Sequence, residues 1–148
     1  MLFHTNKMKP VTFLLSAVCA LAQVQLGSQP SSILAVTALS SANTTVTATL
    51  PAVSGQFHYI TNILIVRTCT TAITGTAVLA VTTTNLPGSL AFTSGNACVV
   101  GSTNTDVNMN IHTFPLKSSV VNTATTIVCP AAGAAGIYRV TILYFTGP

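Results

Sequence analysis

From Thr45 to Leu50 the chain alternates without a slip: Val46, Ala48 and Leu50 share one parity, and Thr45, Thr47 and Thr49 share the other. Successive side chains point to opposite sides only in an extended backbone, so this segment buries one face as a strand and turns a threonine face outward. TDVNMNIHT repeats the pattern, which places Val107, Met109 and Ile111 inward and Asp106, Asn108 and Asn110 outward. A helix would need apolar residues three and four apart, and beyond Ser31 that spacing is missing.

Two longer segments are apolar on both parities. FHYITNILIVRT sets Phe57, Tyr59, Ile63 and Ile65 against Ile60, Leu64 and Val66; IYRVTILYF sets Tyr138, Val140, Ile142 and Tyr144 against Ile137, Leu143 and Phe145. Such strands belong in the middle of a sheet with both faces covered, one by the core and the other by a second layer or another subunit. SSILAVTAL, TAVLAVTTT, SLAFT, ACVV and ATTIV bring the expected number to about eight or nine. The turns between them fall at Pro51 to Gly55, Leu86-Pro87-Gly88, Ser94-Gly95-Asn96 and Pro130 to Gly136. Many short strands with no helix between them predict an all-β antiparallel sandwich over residues 31–148, with a jelly roll the favoured topology and a closed barrel the alternative.

Composition then limits what the sandwich can do. Only 4% of residues are charged and Asp106 is the single carboxylate side chain, so solvation falls to Ser, Asn and 25 threonines. Little charge means little repulsion between copies, which favours self-association. Beyond Gln23 the cations are Arg67, Lys117 and Arg139, too scattered for a nucleic-acid surface. The longest apolar run, Val11 to Ala22, is shorter than the about 20 residues a membrane span requires.

Candidate chemistry is sparse. One carboxylate excludes a paired-acid mechanism. A Ser-His-Asp set could draw on Asp106 with His58 or His112, but no serine sits in a nucleophile-elbow sequence, and Asp106 reads as a turn-forming residue. His58 and His112, each at a strand end, read as rim or interface residues. Cys69, Cys98 and Cys129 stand about thirty residues apart without a CxxC, so no metal site and no cofactor is expected. Each lies by an apolar strand and reads as core filling, with a disulfide as the competing reading.

Residues 1–30 pose a separate question. Lys7 and Lys9, the apolar run and Ala20-Leu21-Ala22 form an export signal cut between Ala22 and Gln23, or else an apolar arm retained for assembly. The retained arm is the favoured reading, because apolar contacts can hold a chain that has almost no charge to use.

The run from GQFHYITNILIVRTCTTAITGTAVLAVTTTNLPG through FPLKSSVVNTATTIVCPAAGAAGIYRVTILYF, within about Asn43 to Phe145, resembles the small β-sandwich virion proteins of tailed bacteriophages, the head-decoration and head-fibre class. The resemblance implies a non-enzymatic structural subunit, trimeric or otherwise clustered, with the major capsid protein or another virion component as partner. It supplies no site residue. The outward parity of IYRVTILYF offers the expected homo-oligomer interface, with Ile137, Arg139, Leu143 and Phe145 on it. A secreted bacterial surface or fibre subunit is the alternative, and a carbohydrate-binding module a weaker one, since no Trp and no tyrosine platform is evident.

Overall fold

The structure is a computed structural model that describes residues 32–74, 77–133 and 135–148. The arm-or-signal expectation for residues 1–30 therefore lies outside the described residues. Nine strands form among the described residues: β1 (Leu34–Leu39), β2 (Val46–Leu50), β3 (Phe57–Cys69), β4 (Val78–Thr84), β5 (Phe92–Gly95), β6 (Thr103–Asn110), β7 (Leu116–Lys117), β8 (Thr125–Cys129) and β9 (Gly136–Gly147). The described residues include no α-helix, only a 3-10 turn at Pro87–Ser89.

All pairings are antiparallel, and four of them are nested: β1 with β9, β2 with β8, β3 with β6 and β4 with β5. The chain is thus laid out as one long hairpin. Pairing of β9 with β3 and of β8 with β4 then rolls the hairpin into two sheets, ordered β1-β9-β3-β6 and β2-β8-β4-β5, with β7 continuing the β6 edge of β3. The expected all-β sandwich is the observed architecture.

Between the sheets, Ile60, Ile63, Ile65, Tyr138, Val140, Ile142 and Tyr144 of the first meet Val46, Ala48, Leu50, Leu79, Val81, Ile127 and Cys129 of the second. Each large apolar side chain so buried contributes roughly 1.5–3 kcal/mol. With a single ion pair among the described residues, this burial is the main source of stability. The alternation read from β2 holds residue by residue.

Two β-bulges break the expected parity elsewhere. Opposite β9, Ile60 pairs with Tyr144 and Asn62 with Leu143, so Thr61 is the extra residue in β3. His58 and Ile60 point inward before it, and Ile63, Ile65, Arg67 and Cys69 point inward after it. Phe57 and Tyr59 consequently lie on the face opposite Ile63 and Ile65, not with them. On β6, Val107 pairs with Ile65 and Thr105 with Val66, which makes Asp106 the extra residue. A bulge lets two consecutive side chains turn the same way. Asp106 points inward beside Val107, against the expectation of an outward turn residue.

The β8–β9 connection closes through Gly136, where an added Cβ would overlap the Ala132 side chain. Asn43, Asn85 and Asn122 occupy left-handed conformations at turns, which asparagine tolerates better than other side chains with a Cβ. Asn85 is also a tie: its Oδ1 accepts from Val120 N at 2.7 Å, and its Nδ2 donates to the carbonyl oxygens of Val120 and Thr123.

Candidate functional site

The outer face of the first sheet has no second layer among the described residues. Strand register writes its rows directly. Leu39, Arg139, Val66 and Thr105 form one; Thr37, Thr141, Leu64 and Asn108 the next; Ala35, Leu143, Asn62 and Asn110 the third. Phe145, Tyr59 and Lys117 follow at one end, and Ile137, Thr68 and Thr103 stand at the other. The four residues expected at an interface, Ile137, Arg139, Leu143 and Phe145, therefore share this face.

The face is mixed, with apolar side chains on the central strands among Asn62, Arg139 and Thr141, and a polar β6 edge. Leu64, Val66, Ile137, Leu143 and Phe145 are only half-buried, while the β6 edge offers Thr103, Thr105, Asn108 and Asn110. Threonine pairs stitch neighbouring strands, Thr37 with Thr141 at 3.3 Å and Thr68 with Thr103 at 3.4 Å. At one end Tyr59 stacks on Phe145 with centroids 5.0 Å apart, and the Lys117 ammonium lies 3.8 Å from the centre of the Phe57 ring. Arg139 and Lys117 are exposed cations on this sheet, and the single carboxylate side chain, Asp106, is not on the surface to meet them. Apolar exposure extends to the sandwich ends at Val78, Val99, Val100 and Phe114.

The groups with chemical potential lie inside instead, at two separate places. His58 is buried rather than at a rim: its Nε2 donates to the Pro51 carbonyl at 2.9 Å, which leaves Nδ1 to accept from the Thr125 hydroxyl at 2.8 Å. Asn85 Nδ2 donates to that hydroxyl in turn, at 3.2 Å. The network ties β3 to β8 and the loops at that end of the sandwich. His112 is exposed in the loop after β6.

Asp106 lies at the far end of β3, paired with Arg67 at 3.2 Å, both side chains at least nine-tenths buried. His58 and Arg67 are nine residues apart on one strand, roughly 30 Å at strand rise, so no His-Asp pair forms. Arg67 Nη2 also donates to the Gly95 carbonyl at 2.7 Å. Burial pushes the Asp106 carboxyl above its ordinary value, with the Arg67 charge opposing that push. Burial first, and the Asp106 charge second, raise the Tyr138 hydroxyl to about 12.

Cys69 and Cys98 are joined in a disulfide, which corrects the core-filling reading for these two. ACVV is accordingly a turn and not a strand: Cys98 makes a single bridge with Ile73, and Val99 and Val100 are exposed beyond it. Nothing in the spacing could have chosen this pair, because the thiols meet only when β5 folds back across the end of β3. Cys129 is the buried filler that was expected, its thiol raised to about 12 by burial. Among the described residues no group of His, Cys, Asp and Glu is arranged to hold a metal ion, and no helix is long and apolar enough to cross a membrane.

No protein-family model matches the chain, and neither a curated protein nor a solved structure is similar enough to count as a match.

Proposed function

We propose that this chain is a non-enzymatic structural subunit of a virus particle, of the capsid-decoration or head-fibre kind, that works by packing against copies of itself and against a shell protein. The single observation that carries the reading is the outer face of β1-β9-β3-β6. It is an uncovered sheet surface with half-buried apolar side chains on its central strands and a threonine- and asparagine-lined β6 edge, on a protein whose His58, Arg67 and Asp106 are buried in structural contacts. Ile137, Leu143 and Phe145, spread along β9, would supply apolar area to the interface, and Arg139, between Ile137 and Thr141 on the same strand, would meet a partner's acceptor. The nested strand pairs and the two packed sheets support a jelly-roll reading of the sandwich, an architecture that recurs in capsid proteins. A homotrimer is the proposed assembly and the major capsid protein the proposed neighbour.

A second reading is a secreted bacterial surface or fibre subunit with the same sandwich. The Cys69–Cys98 disulfide favours it, since such bonds persist in oxidising compartments, although particle surfaces are oxidising too. Pairing of two cysteines also leaves no reactive odd thiol after loss of Cys19, because Cys129 is buried.

Intact mass of the protein from its native source tests the choice between the two. A retained N-terminus in particles supports the virion subunit; a chain beginning at Gln23 transfers the assignment to the secreted one. Self-assembly is tested by light scattering of the full chain with Leu143→Asp and Thr141→Asp, both outward-facing. Loss of the oligomer with an unchanged β-sheet circular dichroism spectrum is expected.

A further inference from the structure

Six buried side-chain atoms have no hydrogen-bond partner among the described residues: Arg67 Nε and Nη1, Ser94 Oγ, Asn96 Oδ1, Asp106 Oδ2 and Tyr138 Oη. Buried polar atoms are rarely left alone, and six in one chain call for a cause. Their placement supplies one. Arg67 on β3 has Tyr138 of β9 as its cross-strand neighbour, Asp106 bulges inward from β6, and the end of β5 brings Ser94 and Asn96 beside the Gly95 carbonyl that Arg67 grips. Ser94 lies beside both Asp106 and Tyr138, its hydroxyl opposing the rise of each, but at a geometry that completes a hydrogen bond to neither. Arg67 and Asp106 meet through one atom each, and the hydrogen-bonding capacity left over around them is what an ordered water bridges.

We propose that Arg67, Ser94, Asn96, Asp106 and Tyr138 enclose a binding site for internal water, sealed at its outer end by the Cys69–Cys98 disulfide. The donor and acceptor inventory selects the ligand. Arg67 Nε and Nη1 can only donate, Asp106 Oδ2 and Asn96 Oδ1 can only accept, and the Ser94 and Tyr138 hydroxyls can do either. An anion would face the Asp106 carboxylate and a cation the Arg67 guanidinium. Water donates and accepts, and internal waters make about three hydrogen bonds each, so about two molecules satisfy the six atoms.

The seal follows from the next rung of the sheet. Asn104, the partner of Arg67 on β6, donates through Nδ2 to Cys98 Sγ at 3.5 Å, and Cys69 is the next inward residue after Arg67 on β3. Cys98 is further held by its paired backbone bonds to Ile73, 2.8 and 2.9 Å. β5 is a four-residue edge strand whose one partner is β4, so the disulfide and the Arg67–Gly95 bond are what pin its end to the first sheet.

Magnetic relaxation dispersion of water nuclei on the full-length oxidised protein tests the site. Water bound for longer than the molecule's tumbling time is expected, reduced in amplitude by Tyr138→Phe, which deletes one partner atom, and lost in Arg67→Met/Asp106→Leu. Absence of long-lived water in the oxidised protein, or an equal signal in the double variant, would overturn the site; so would a crystal structure in which the six atoms pair with one another. Reduction by a dithiol, which gives two electrons and two protons to form the two thiols and is itself closed to a disulfide, should shorten the residence time at least tenfold. An unchanged residence time after confirmed reduction would overturn the seal.

Discussion

Replacing Arg67 by Met keeps most of the buried stem and removes the charge that Asp106 leans on. Burial already holds Asp106 above its ordinary value of 3.8, and the two opposing influences from Arg67 disappear with the substitution, so the carboxyl rises further. At neutral pH the folded variant must then bury either an unpaired carboxylate or a protonated acid. The second route sets a ceiling: holding a proton on a group of ordinary value 3.8 at pH 7 costs at most about 4 kcal/mol, at about 1.36 kcal/mol per pH unit. That is a large part of the roughly 5–15 kcal/mol that holds a domain together. A further cost of about 1 kcal/mol comes from the lost Gly95 hydrogen bond. The sign is fixed by linkage. A folded-state carboxyl raised above its unfolded value contributes stability below 3.8 and loses it as pH climbs through the folded value, in the wild type modestly and in the variant steeply. Urea midpoints of both proteins at pH 4, 5, 6 and 7 should converge at pH 4 to within the Gly95 bond and separate steadily above it. A deficit that stays the same at every pH would refute the claim that Asp106 is buried against Arg67.

Other outcomes follow from the same packing. Gly136→Ala forces a Cβ into Ala132 and should cost about 1–3 kcal/mol in a denaturant titration, whereas Gly95→Ala, whose Cβ meets open space, should cost less. Cys69→Ser/Cys98→Ser removes a cross-link spanning 29 residues and should lower unfolding free energy by about 3–4 kcal/mol. Cys129, buried and raised to about 12, should remain unlabelled by a thiol-specific reagent at pH 8 until denaturant is added, as read by peptide mass mapping.

How far the sequence discloses this structure depends on where the two-residue period holds. In β2 it holds throughout and the polar parity names the outer face; in β9 it holds from Gly136 to Phe145, so residues of one parity share a face although both faces are apolar. In β3 and β6 one extra residue in each, Thr61 and Asp106, reverses the parity partway, and neither residue type announces a bulge. That reversal is why Asp106 was expected in solvent and is found against Arg67. His58 was misplaced for a related reason: the side chain that satisfies it, Thr125, is 67 residues away, and such long-range polar pairings have no local signature. The Cys69–Cys98 bond is of the same kind. The outer-face residues Ile137, Arg139, Leu143 and Phe145 could be grouped because β9 alternates without a bulge from Gly136 to Phe145.

Absolute molar mass of the full chain by light scattering, measured over a wide concentration range beside Leu143→Asp, tests the proposed assembly most directly. The account predicts three times the 15.2 kDa chain for the wild type and a folded species of chain mass for the variant. A wild type that remains at 15.2 kDa at high concentration would contradict it.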